Sequence, residues 1–292
     1  MSETALATPP NPVVDAAINK MGEIATLPEI TVKIIQIVED QKSTARDLHE
    51  VIRNDPALSA KILKVVNSAF YGLPGQIASV DRAIVLLGLS AIKNIAIAMS
   101  MTRMFRGVRH SDGVDGMELW RHNMAVATAC RLLTKLQGRP AQEESFLAGL
   151  LHDLGVLVER QVFPAKLAEA VARVSQDGTP FCQVEREVLG ADHQAFGAAL
   201  AAKWRFPRTL RLAIGHHHEP GGLATENREL PALVHAADVL ACRTGIGFCM
   251  TACLEAIDEE TLEAMKLSRE DVEGIMGELP EQVALTQALF SS

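Results

Sequence analysis

Apolar residues recur at three- and four-residue intervals along most of the chain, the period of an amphipathic helix. In residues 27–39 (LPEITVKIIQIVE), Ile30, Ile34, Ile35 and Val38 share one face. Ser43 is a candidate cap for a helix running to Arg53, with Leu48, Val51 and Ile52 turned inward. Asn54-Asp55-Pro56 then ends one helix and opens the next, with Asp55 suited to the cap and Pro56 to the first helical position. Over residues 56–70 the stripe is Leu58, Ile62, Val65, Val66 and Phe70. Gly72, Pro74 and Gly75 predict a turn. Ser79 caps a helix containing Ala83, Ile84 and Leu87, and Gly88 interrupts it before an apolar segment at 92–101.

The Gly- and Asp-rich stretch 106–117 is the best internal boundary. Beyond it the pattern predicts helices at about 117–136, 142–158, 164–176, 180–189, 193–204, 207–217 and 229–244, then shorter pieces at 259–265, 269–278 and 280–290. No alternation long enough for a sheet, no repeat and no low-complexity stretch is present. The expected fold class is all-α, an N-terminal helical bundle joined to a larger one. The expected division is a disordered tail over 1–18, a helical subdomain over 19–105, a second bundle over 117–250 and a helical extension over 251–292.

Composition refines this picture. Among the 292 residues 48% are hydrophobic but only 4% aromatic, so aliphatic side chains must fill the core. The most apolar stretch, 83–101, carries Ser90, Lys93 and Asn94 and reads as a buried amphipathic helix rather than a membrane span. The first residues lack the layout of a signal peptide, which makes the cytoplasm the expected compartment. Five cysteines (Cys130, Cys182, Cys242, Cys249 and Cys253) form no C-x-x-C pair and read as buried small hydrophobes; Cys249 and Cys253 stand four apart, as two residues on one helix face would. A net charge of −8 argues against a general nucleic-acid binder. Residues 79–94 mimic a helix-turn-helix but offer only Arg82 and Lys93 as cations. Ser68, Tyr71 and Gly72 read as a helix terminus rather than a binding loop, Trp204 as a core anchor, and the acidic stretch 258–273 as a solvated face.

The chemistry lies in the second bundle. His122, His152-Asp153, His193, His216-His217-His218 and Asp238 each sit on or beside a predicted helix, among apolar residues. Leu150, Leu151, Leu154 and Val156 surround Asp153, and an unpaired carboxylate in such a setting costs several kcal/mol. It must be protonated, paired, hydrogen-bonded or metal-bound. One divalent cation would answer the problem for the whole group, since imidazole and carboxylate together suit iron, manganese or zinc. The bland alternative is a set of separate, satisfied core histidines, with His216–His218 favoured by the dipole at a helix end.

In this order the residues resemble the HD superfamily of metal-dependent phosphohydrolases. The resemblance makes His122 the first ligand, His152-Asp153 the name-giving pair and Asp238 the last ligand, while His193, His217 and His218 match the additional histidines of the HD-GYP branch, which hydrolyses cyclic di-GMP with two or three metals. The segments NDPALSAKILKVVNSAFYG and AIVLLGLSAIKN are similar to the opening of HDOD domains, in which a helical part precedes a modified HD bundle; the similarity covers roughly residues 20–250. HHEPGG stands where an HD-GYP enzyme continues HHExxDGxGYP, so the Asp and the Gly-Tyr-Pro are absent. HDOD domains are regarded as non-catalytic modules of signal transduction, yet this chain keeps a full ligand set.

Two functions follow as expectations. One is a bacterial signalling module acting through protein partners, its His/Asp cluster holding a structural metal (iron, manganese or zinc) or remaining as a relic. The other is a metal-dependent phosphohydrolase acting on a nucleotide or cyclic nucleotide. In that reading Asp153 is the candidate catalytic residue, His122, His152, Asp153 and Asp238 hold the catalytic metal, and His193 and His217 hold a second metal or the phosphate. No recognisable sensor segment accompanies the bundles, so input is expected through contact or ligand.

Overall fold

The computed structural model describes residues 11–24, 28–39, 43–68, 71–105, 114–139, 142–252 and 254–290. Every regular element among them is helical. The first part comprises α1 (Pro12–Ile24), α2 (Glu29–Glu39), α3 (Ala45–Arg53), α4 (Pro56–Val66), α5 (Val80–Leu87) and α6 (Leu89–Phe105). The second comprises α7 (Gly116–Leu136), α8 (Gln142–Leu151), α9 (Leu154–Val162), α10 (Pro164–Asp177), α11 (Phe181–Leu189), α12 (His193–Lys203), α13 (Arg208–His216) and α14 (Glu229–Thr244). The chain then forms α15 (Glu259–Met265), α16 (Arg269–Gly274) and α17 (Leu279–Phe290). One continuous apolar cluster runs from Val14 to Phe290.

Local chemistry explains the helix starts. Asp55 accepts from Leu58 N–H with Pro56 at the first helical position, Ser79 accepts from Arg82 N–H, and Asp192 accepts from Ala195 N–H, each supplying a partner to an otherwise open amide. The cap of α3 is Thr44 rather than Ser43; Asp47 accepts from both the Thr44 amide and its hydroxyl. α4 stops at Val66, short of the expected 70, because Asn67 turns to the chain opposite. Its Nδ2 donates to Ile77 O and its Oδ1 accepts from Ile77 N–H, at 2.8 and 2.6 Å. Phe70, Cys253 and residues 106–113 lie outside the described residues.

Two further expectations are corrected. The tail expected over 1–18 is helical from Pro12, since Val14, Ala17, Ile18 and Met21 form a buried stripe. α1 packs on α9 and α12, with Asn11 Nδ2 donating to Gly190 O at 3.0 Å and Lys203 Nζ to Ile18 O at 2.9 Å. The helix expected over 142–158 breaks at His152-Asp153 into α8 and α9. There His152 Nδ1 takes the Gly149 carbonyl at 2.7 Å, a group that a continuous helix would give to a backbone amide.

The C-terminal segment is tied to both parts: α15 packs on α14, α17 packs on α7 and α4, and Phe290 of α17 stacks on Phe146 of α8. Tyr71 lies at the seam between the two bundles, under the Arg131 guanidinium, and Gly72 makes the turn at φ +57°. Trp204 packs half-buried against the core beside Phe206. Among the described residues no helix is long and apolar enough to cross a membrane.

Candidate metal centre

All seven sequence-derived ligand residues converge on one buried pocket. His122 projects from the middle of α7, and Asp238 from α14, which packs beside it. His152 and Asp153 sit at the break between α8 and α9. His193 opens α12, and His217 and His218 follow the end of α13. The chain repeats one device here. Like His152, His217 closes its helix by bonding through Nδ1 to the carbonyl three residues back, Ile214 O at 2.9 Å. Both rings therefore present Nε2 to the pocket.

Asp153 is the hub. Its Oδ2 lies 3.3 Å from His152 Nε2 and 3.7 Å from His122 Nε2; its Oδ1 lies 3.4 Å from His193 Nε2 and 3.8 Å from His217 Nε2. Asp238 adds Oδ1 at 3.0 Å and Oδ2 at 3.9 Å from the His122 and His152 Nε2 atoms. His193 Nε2 is 2.9 Å from His218 Nε2 and 3.3 Å from His217 Nε2. The ligands thus fall into two groups that share Asp153, one with His122, His152 and Asp238, the other with His193, His217 and His218.

Close helix crossings create this convergence. A Cβ on Gly155 of α9 would stand 1.8 Å from His193 O, and one on Gly197 of α12 would stand 3.0 Å from Gly155 N. The two glycines let α9 and α12 touch backbone to backbone, which delivers His193 to Asp153. Gly149 plays the same part between α8 and α7, where a Cβ would stand 2.8 Å from Ala127 Cα.

Outer partners orient the rings. Glu185 of α11 accepts from the backbone amide of His193 and pairs with its Nδ1 at 2.8 Å. Glu255 pairs with His218 Nδ1 at 2.8 Å, and Gln194 Oε1 accepts from the His218 amide. Sequence reading passed over Glu185, Glu255 and Gln194. Glu185 had a signal: it falls on the stripe Phe181, Cys182, Glu185, Leu189, all buried.

Burial and neighbouring charge set the ionisation of the pocket. Burial favours a neutral Asp153, but His152, His193 and His122 outweigh it and hold the carboxyl below its usual range. Burial likewise opposes ionisation of Asp238, and contact with His122 reverses that. Burial, with His218, His152 and His193 close by, pushes His217 well down and keeps it neutral. Burial lowers His122, yet its contacts with Asp238 and Cys249 bring it up to about 10. Glu159, fully buried beside Glu185, is pushed well up by burial and then by that second carboxylate.

The residues fit a divalent cation. Both oxygens of Asp153, Oδ2 of Asp238 and Nε2 of His122 and His152 are buried without a well-aligned hydrogen bond. Orphaned atoms of that kind are costly in a dry interior, and here they lie together in one pocket. The donor set is imidazole nitrogen and carboxylate oxygen, suited to iron, manganese or zinc. Two thiols lie beside it: Cys242 Sγ is 3.6 Å from Asp238 Oδ1, and Cys249 Sγ is within 4.8 Å of a His122 ring nitrogen. Cys130 and Cys182 are buried as expected, whereas Cys242 and Cys249 are only partly so, which corrects their reading as core residues.

The HDOD domain profile matches residues 24–220, about two thirds of the chain. The chain belongs to the HDOD family. Solved structures agree with that placement. An HDOD domain protein of unknown function from Geobacter sulfurreducens superposes with a TM-score of 0.75 at 21% identity, covering 94% of this chain and 99% of that one. A candidate phosphohydrolase from Shewanella amazonensis gives 0.69 at 25% identity over 94% and 98%. A candidate signal-transduction protein from Marinobacter aquaeolei gives 0.74 at 24% over 96% and 65%. An uncharacterized protein of Treponema pallidum is 25% identical over 222 residues, 76% of this chain and 42% of its own length. The uncharacterized protein YuxH of Bacillus subtilis is 25% identical over 130 residues, 44% and 31% of the two lengths. This HDOD chain therefore spans less than half the length of the curated relatives it matches.

Proposed function

We propose that this HDOD protein is a signal-transduction output module that acts through protein partners and carries a divalent-metal centre in its second bundle. The observation that carries the reading is enclosure. His122, His152, Asp153, His193, His217 and Asp238 are each at most 1% exposed, and structural metal sites are closed where catalytic ones keep a position open. His122, His152, Asp153 and Asp238 would hold one cation, and Asp153 with His193, His217 and His218 would hold another. Bound there, a cation neutralises the carboxylates and, as a Lewis acid, can acidify a coordinated water. The protein's own contribution is to fix the ligands on α7, α12, α14 and the ends of α8 and α13, so that metal state and helix packing are linked.

A second reading, hydrolysis of a phosphodiester such as a nucleotide or cyclic nucleotide, is favoured by one feature. A cavity of about 410 Å³ reaches His218 and is lined by Arg228, His235, Glu255 and Asp258 among others. Arg228 brings a cation to its wall, although its guanidinium is already bonded to Leu223 O and Glu260, and His218 meets the cavity beside its partner Glu255.

The test is elemental analysis of untagged protein purified anaerobically with iron, manganese and zinc supplied, beside Asp153→Ala. Near-stoichiometric metal that is lost in the variant, without phosphodiester turnover, supports the module. Metal-dependent turnover abolished by Asp153→Ala in a folded protein overturns it in favour of hydrolysis. Absence of metal from both samples removes the metal centre.

A further inference from the structure

Four of the five ligand histidines rest their Nδ1 atoms on groups that do not oxidise: Gly149 O for His152, Ile214 O for His217, Glu185 for His193 and Glu255 for His218. His122 is the exception: neither of its ring nitrogens has a well-aligned hydrogen bond, and the thiol of Cys249 in the neighbouring loop lies within 4.8 Å of one of them. That loop, residues 245–249, is pressed onto α7 at the site. Phe248 N–H donates to Glu118 O at 3.0 Å, and a Cβ on Gly247 would stand 2.3 Å from His122 N. Only glycine at φ +81° permits the approach.

Cys242 completes the arrangement. It lies one helical turn beyond Asp238 on α14, its thiol donates to Cys249 O at 3.2 Å, and it lies 3.6 Å from Asp238 Oδ1. The two sulfurs and a ring nitrogen of His122 are all within 4.8 Å of one another. A disulfide requires about 2.05 Å between sulfurs, so the loop must move by roughly 2–3 Å at most. Gly245 at φ +68° and Gly247 lie on the connection that would move. Both residues are partly exposed, whereas Cys130 is sealed in the core.

We propose that Cys242 and Cys249 are a peroxide-sensitive dithiol whose closure to a disulfide loosens the metal ligands His122 and Asp238. The Cys249 sulfur attacks the O–O bond of hydrogen peroxide, giving a sulfenic acid and one water. The Cys242 sulfur then displaces the sulfenic oxygen, forming the S–S bond and releasing a second water. Two thiols are oxidised and one peroxide is reduced. The disulfide takes the Cys242 thiol from Asp238 Oδ1 and shifts the loop that is pressed onto α7 at His122, so Asp238 loses an outer partner and His122 its packing. The dithiol stands on its own geometry, and its effect on ligands rests on the metal-centre reading.

The experiment treats the full chain with stoichiometric peroxide, alkylates remaining thiols and maps peptides without reduction. Cleavage after Arg243 separates Cys242 from Cys249, so a disulfide appears as a linked pair. It is expected in the wild type and in Cys253→Ser, and absent in Cys242→Ser and Cys249→Ser. Manganese binding, chosen because Mn²⁺ disfavours thiolates, is measured before and after; oxidation should weaken it about 10–100-fold, the usual effect of losing an outer partner, with recovery on reduction. Full alkylation of both thiols, or linkage to Cys253, overturns the dithiol. A Cys242–Cys249 link with unchanged Mn²⁺ affinity overturns the coupling. A link in protein that binds no Mn²⁺ in either state upholds the dithiol and refutes the metal centre instead.

Discussion

Gly155→Ala is a sharp test of how the centre is assembled. The added methyl would stand 1.8 Å from His193 O and 2.6 Å from its carbonyl carbon, roughly 1.5 Å short of ordinary contact. The obstacle is backbone, so no side-chain rotation relieves it, and α9 must separate from α12. Overpacking of this kind costs about 1–3 kcal/mol, which for a chain of this size lowers Tm by roughly 2–5 °C. The separation also moves His193 from Asp153 by about 1 Å, beyond the ~0.5 Å within which a site holds its geometry. Thermal unfolding of metal-free protein reads the first effect and Mn²⁺ titration the second; both should fall together. Gly274→Ala is the control, since a methyl there meets nothing within 4 Å. A Gly155→Ala protein with wild-type Tm and wild-type metal affinity would refute the claim that the α9–α12 crossing positions the ligands.

Three further outcomes are expected. Glu185→Gln should weaken Mn²⁺ binding about 10–100-fold while far-ultraviolet circular dichroism is unchanged, because the ring of His193 loses its carboxylate partner but not its place in α12. Asn67→Ala removes both hydrogen bonds to Ile77 and should cost about 1–3 kcal/mol in urea unfolding, with metal content untouched since the break lies in the first bundle. Stripping a metal-loaded sample with chelator should lower Tm by an amount that grows with the free metal supplied beforehand, by about 3–4 kcal/mol of stability at 100 to 1,000 times Kd. A Tm indifferent to chelator would show that no cation was held.

The grouping of the seven candidate ligands was legible in the sequence because each is a titratable residue beside or within an apolar helical stretch, a placement that costs free energy unless something answers it. The outer shell was legible only in part. Glu185 interrupts an apolar stripe and could be found by period alone; Glu255 sits in a loop without a period and could not. The break at His152-Asp153 was hidden because LAGLLHDLGVLV keeps its hydrophobic run through the turn, and only the His152 side chain taking the Gly149 carbonyl ends the helix. Gly155, Gly197 and Gly247 look ordinary in the chain, since what they permit is the approach of segments distant in sequence. The N-terminal helix carried its stripe at Val14, Ala17, Ile18 and Met21, but the polar residues ahead of it drew the whole stretch into the expected tail.

That helix has a mechanical consequence. α1 clasps α9 and α12, and the residues at the head of those two helices are Asp153 and His193. The strap therefore grips the pair that joins the two ligand groups, anchored by Lys203 at its middle and Asn11 at its start. Were a cation held there, drawing Asp153 and His193 together would also draw together the two helices that α1 clasps.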